Sequence, residues 1–197
     1  PDDNRVEFGK QFNVWKKDSG DLRDLADFMP PGYGRPVDEN DNSWNPSDSI
    51  FGGFWKGGKH WSEVIADDAI DFIDDSKKFD NPYFMYLAFN APHDPRQAPK
   101  RFLDMYPIDK INVPVNYSPI HPYWKDIGNG PGLRDEALAP YPRSEYAVKK
   151  HIQEYFAVIT HLDEQVGKII SHLEDQNMLD NTYIIFTSDH GLAVGQH

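Results

Sequence analysis

The sequence predicts an α/β fold, a mostly parallel sheet sandwiched by helices. Three observations predict it. Two short runs, Tyr-Phe-Met-Tyr-Leu-Ala-Phe at 83–89 and Thr-Tyr-Ile-Ile-Phe-Thr at 182–187, carry no charge. Runs of this kind suit strands covered on both faces, as parallel sheets require. Between them, from about Ser144 to Asn177, apolar residues recur at helical spacing. Each run then ends in a polar turn, which is where ligands meet open α/β sheets. Strand, helix and strand in that order point to a βαβ-type unit, with the two runs parallel neighbours or one strand apart.

The elements follow in order. Residues 1–60 carry little periodicity; Phe12, Val14 and Trp15 suit a short strand, and Phe51, Phe54, Trp55 and Trp61 stand among glycines. Ser62 suits the cap of a helix over 63–76, with Ile65, Ala69, Phe72 and Ile73 on one face. The aspartates at 67, 68, 71, 74 and 75 fall on its outer side and read as a solvated face. After the run 83–89 comes Asn90-Ala91-Pro92-His93-Asp94-Pro95, where two prolines stiffen the backbone around His93. Pro99 opens a short helix with Phe102, Leu103 and Tyr106 inward, and Pro107 stops it. Residues 107–143 hold seven prolines and read as an ordered surface excursion, with His121, Trp124 and Arg134 its notable members. The long helix then carries Ile152, Tyr155, Phe156, Ile159, Leu162, Val166, Ile169, Ile170 and Leu173 as one stripe. His161 and His172 fall well off that stripe and are expected in solvent, with His151 at its edge. The organisation is therefore one partial domain over 1–197, a loop-rich 1–60 followed by an α/β core over 61–197.

Composition narrows the function. The 197 residues are 39% hydrophobic and 26% charged, so the chain is globular rather than disordered. A net charge of −12 argues against nucleic acid or an anionic membrane surface as partner. With no cysteine, disulfides, thiolate metal sites and thiol nucleophiles are excluded. No apolar run approaches the roughly 20 residues of a membrane span. The chain opens without Met and stops shortly after its last motif, and is expected to be an internal piece of a longer protein.

The chemistry concentrates at two run ends. Ser188-Asp189-His190-Gly191 follows the second run directly. Asp189 offers a hard anionic oxygen, His190 a nitrogen ligand or proton carrier, and Gly191 permits close approach to the backbone. His93 occupies the matching place after the first run. The same residue types also suit solvated turns.

Three stretches together resemble the type I sulfatases of the alkaline phosphatase superfamily, nearest to the iduronate-sulfatase and choline-sulfatase-like branch. They are YFMYLAFNAPHDPRQAPKRFLDMYP at 83–107, YFAVITHLDEQVGKIISHLEDQNMLD at 155–180, and NTYIIFTSDHGLAVGQH at 181–197. The resemblance implies hydrolysis of a sulfate ester, with a sulfated small molecule or carbohydrate as substrate. It implies a formylglycine nucleophile, a Ca²⁺ ion, and a periplasmic, secreted or lysosome-like setting. By position it assigns Asp189 and His190 to the metal side. It assigns His93 and His190 to catalysis, His93 by facing the sulfate or protonating the leaving alcohol. Lys100 and Arg96 are candidate substrate contacts that map onto no family motif.

The departures are specific. The C/S-x-P-S-R motif that becomes formylglycine is absent, as is the Asp-Asp pair that completes the calcium site. Asp2-Asp3, Asp67-Asp68 and Asp74-Asp75 lack its context, and Gly58-Lys59-His60 only imitates the K-x-H motif. The chain is therefore expected to be inactive alone. Two other readings stay open: a phosphodiesterase or phosphonate hydrolase of the same superfamily, and a non-catalytic binding relative.

Overall fold

The computed structural model describes residues 36, 38–42, 45–49, 53–54, 58–128, 139 and 142–195. The expectations placed on Phe12, Val14, Trp15, Phe51, Trp55 and Arg134 lie outside them. Four α-helices are described: α1 (Trp61–Ser76), α2 (Lys100–Leu103), α3 (Trp124–Ile127) and α4 (Glu145–Asp175). Single 3₁₀ turns add Ile108–Lys110 and Leu179–Asn181.

Helix α4 is the spine. At 31 residues it is about 46 Å long. Ser144 caps its start, accepting the Ala147 N–H at 3.1 Å. Its end is a Schellman motif: Asn177 adopts φ 56°, the Asn177 N–H donates to Glu174 O, and the Met178 N–H donates to Leu173 O. Met178 also packs against the Leu173 cluster, the apolar contact that accompanies this motif. Three apolar clusters lie along the spine. Ile169 and Leu173 meet Ala66, Ala69 and Ile73 of α1. Ala157 and Val158 meet Ala98, Phe102 and Leu103. Val148 and Ile152 meet Ile111 at the start of the proline-rich excursion.

Two details of these helices differ from expectation. The cap of α1 is His60, whose Nδ1 accepts the Ser62 N–H at 3.1 Å, and Ser62 itself is buried inside the first turn. On α4 the buried row is Ala157, His161, Gln165, Ile169 and Leu173, each four residues after the last, while Phe156 stays 43% exposed. His161 is thus fully buried, not solvated. His172 is half-covered and bonded at 3.0 Å to Asp74 Oδ1. The stripe of large residues misses this because α1 and α2 approach α4 over small and hydrogen-bonded side chains.

The two uncharged runs form no ladder among the described residues. Run 83–89 buries one face only. Met85, Leu87 and Phe89 pack on the α1–α4 cluster, while Phe84 and Tyr86 are 87% and 80% exposed. Period two is the signature of extended backbone with helices on one side. Run 182–187 is more exposed still, with Tyr183, Ile185 and Phe186 open.

The excursion is ordered where it is described. The Tyr117 hydroxyl donates to Arg143 O, and the Arg143 N–H donates to Pro119 O at 2.8 Å, closing it on itself. Gln153 Nε2 donates to Tyr106 O at 2.7 Å and fastens its root to α4. No described helix is long and apolar enough to cross a membrane.

Candidate active site

Each polar turn follows its uncharged run directly. His93 sits in a tight turn, its N–H donating to Asn90 O at 2.9 Å. Its Nδ1 lies 3.0 Å from Asp94 O. A carbonyl only accepts, so Nδ1 carries the hydrogen and Nε2 is left to face outward. Behind it Asp94 and Arg96 form a buried ion pair, Arg96 Nε donating to Asp94 Oδ1 at 2.9 Å.

The second turn is exposed. Asp189 Oδ1 accepts the His190 N–H at 2.9 Å, and His190 Nε2 stands 3.7 Å from Asp189 Oδ2. Ser188 Oγ closes the turn on His190 O at 2.9 Å. The His190 N–H and Asp189's own N–H hold the Asp189 carboxyl below its usual range, and the charges of His190 and His93 add to this. The charge of His93 is thus felt at the Asp189 carboxyl. Gly191 continues past α4, where an added Cβ would stand 3.5 Å from the Tyr155 hydroxyl.

The other candidates are placed elsewhere. Arg96 is buried in its pair with Asp94 and is not a surface contact for substrate. Lys100 is on the surface of α2, paired with Asp104 one turn on. His121 Nδ1 accepts the Tyr123 N–H at 3.1 Å as a local turn, and Trp124 begins α3.

As a metal centre the site is partial. Asp189 fits a hard cation: its carboxyl is held below the usual range and is open to solvent, with Oδ2 facing His190 Nε2 at 3.7 Å. Among the described residues, however, no group of three or more His, Asp or Glu is placed to hold a metal ion. A calcium shell takes roughly six to eight oxygens, and one carboxylate does not supply it.

Sequence reasoning missed three buried polar residues behind the His93 turn. Gln97, fully buried, binds Gly53 and Asp48, and His60, bonded to Gln97 O, meets His161 edge to face at 4.4 Å. Gln97 gave no signal, being a polar residue in a loop.

The sequence is similar to known sulfatases. The sequence is 35% identical over 145 residues to iduronate 2-sulfatase of Mus musculus, covering 67% of this chain and 26% of that protein. It is 30% identical over 146 residues to an arylsulfatase of Clostridium perfringens, covering 70% and 28%. It is 29% identical over 149 residues to choline-sulfatase of Rhizobium meliloti, covering 68% and 28%. The chain thus spans about a quarter of the length of the curated relatives it matches. The sulfatase family profile matches residues 8–197, nearly the whole sequence. With this match over nearly the whole sequence, the chain belongs to the sulfatase family, whose fold is the α/β fold of the alkaline phosphatase superfamily.

Proposed function

We propose that the whole protein is a sulfuric ester hydrolase acting on a sulfated carbohydrate, and that this chain supplies one wall of its active site. The observation that carries this reading is that His93 and the Asp189–His190 pair each follow an uncharged run directly, with the charge of His93 felt at the Asp189 carboxyl. A formylglycine hydrate and a Ca²⁺ ion supply the nucleophile and the charge neutralisation in such an enzyme. Asp189 would contribute one oxygen of the calcium shell, with His190 beside it. His93 keeps its Nδ1–H on Asp94 O and, when a second proton sits on Nε2, the imidazolium gives that proton to the departing alcohol oxygen and returns to the neutral ring. Its backbone turn and the buried Asp94–Arg96 pair fix where that nitrogen points.

The test is sulfate release by the whole protein from an aryl sulfate and from sulfated monosaccharides, beside residues 1–197 alone. Turnover is expected from the whole protein only, because this chain holds no nucleophile of the required context. Comparable turnover by residues 1–197 would sink this account. Faster hydrolysis of a phosphate diester or phosphonate would move the protein to the phosphoryl branch of the superfamily, and calcium binding without turnover would favour a binding relative.

We further propose that runs 83–89 and 182–187 are parallel strands of one sheet, neighbours or one strand apart. Helices cover Met85, Leu87 and Phe89 on one face, and the opposite face is apolar and open, as a strand within a two-sided sheet requires. A crystal structure of the whole protein with the runs antiparallel, or in different sheets, would refute this.

A further inference from the structure

We infer that Gln97 is a positioning residue for His93, clamping the exit of the His93 turn to the backbone at Asp48 and Gly53. The inference rests on the proton-donor reading of His93.

Gln97 is completely buried and uses every polar group it has. Its Oε1 accepts the Gly53 N–H at 2.8 Å. Its Nε2 donates to Asp48 O at 2.8 Å. Its carbonyl accepts the His60 Nε2–H at 2.8 Å, and its own N–H donates to Pro95 O at 2.9 Å. The next N–H, of Ala98, donates to Pro46 O at 3.2 Å. One primary amide thus does for two irregular segments what a ladder does for two strands. Glutamine is suited to this because its end carries both a donor and an acceptor.

Gly53 shows how tightly the clamp closes. A Cβ there would stand 2.7 Å from both Gln97 Cβ and Gln97 Oε1. Only glycine lets the loop come close enough for its N–H to reach the amide. His93 is four residues upstream, with the Asp94–Arg96 pair between. Displacing Gln97 therefore moves the anchor on which the His93 backbone ends. A shift of about 1 Å in a catalytic group lowers rate by about 10–100-fold.

Two variants of the whole protein test this. Gln97→Met keeps the volume and removes both side-chain bonds. Gly53→Ala removes no hydrogen-bonding group and pushes the clamp open from the other side. Both are expected to lower kcat on an alkyl sulfate by about 10–100-fold with KM changed less than about threefold. Both are also expected to shift the His93 ring signals by NMR, with the signals assigned by their loss in His93→Gln. Should Gln97→Met fail to fold, Gly53→Ala decides alone. A lowered melting temperature with His93 signals and permissive-temperature kcat unmoved would reduce Gln97 to a packing role and overturn the inference. If the wild type hydrolyses no sulfate ester while the His93 signals shift as expected, the proposed function falls and the clamp stands. If turnover is present and the signals do not shift, the reverse holds.

Discussion

Replacing His93 by Gln in the whole protein is expected to lower turnover of alkyl sulfate esters by about two to four orders of magnitude, the usual contribution of a positioned proton donor. The same change is expected to cost an aryl sulfate with an electron-poor ring less than about tenfold, since that alcohol leaves without needing a proton. The geometry motivates the contrast. Nδ1 is held by Asp94 O at 3.0 Å, which leaves Nε2 as the nitrogen that reaches outward. The backbone on either side is fixed by the Asn90 turn and by the buried Asp94–Arg96 pair. Steady-state kinetics on the two esters checks it. Equal losses on both would strip His93 of the proton-donor role and leave it as a sulfate contact. No loss on either would remove it from the site.

Much of this was legible in the sequence, for physical reasons that differ from element to element. Helix α4 was readable because Ser144, Asn177 and a 3.6-residue period all agree on its extent. The turns at His93 and Asp189 were readable because an uncharged run cannot end in solvent without a polar exit. What hid were interactions carried by residues of ambiguous type. Ser62 is a better cap by propensity than His60, yet the imidazole takes that place, held there by the Phe54–His60 bridge and the Trp61 N–H bond to Gly53 O. The buried row 157-161-165-169-173 was obscured by brighter neighbours such as Phe156 and Ile159, since a sequence stripe is drawn from size and apolarity. Burial of run 83–89 on both faces was the expectation; among the described residues it is buried on one. Periodicity reports what a segment can bury, not what is there to bury it against.

Lowering the pH from 8 to 5 is expected to destabilise the protein by about 4 kcal/mol through His60 and His161 alone, about 2 kcal/mol from each. Burial, and then the neighbouring His161, push His60 down to about 3. Burial likewise pushes His161 down to about 4, with Glu164 opposing and Arg101 and Lys168 assisting. The hydrogen bonds of His60 show why that ring is kept neutral, and burial keeps His161 so. His60 Nδ1 accepts the Ser62 N–H that opens α1, while Nε2 donates to Gln97 O. A proton on Nδ1 would abolish that cap and set a positive charge on the positive end of a helix. His161 Nε2 donates to Glu63 Oε1 at 3.1 Å, and its Nδ1 has no hydrogen-bond partner among the described residues. Phe54 packs on the His60 ring and Phe102 on the His161 ring, and the two imidazoles touch, so a second charge would lie against the first. The sign follows from the order of affinities. The unfolded imidazoles take up protons below about 6.5, the folded ones not until about 4 and 3. Stability is therefore complete above pH 6.5 and is lost as pH falls towards 4, with a limiting slope of about 1.4 kcal/mol per pH unit for each histidine. Urea unfolding of the whole protein at pH 8, 6.5 and 5 reads it directly. His60→Asn keeps an acceptor that can cap α1 and does not titrate, so it should remove about half of the pH dependence between 8 and 5. Adding His161→Gln should remove most of the remainder. A double variant as acid-sensitive as the wild type would mean that other groups govern the acid response and that this buried pair does not.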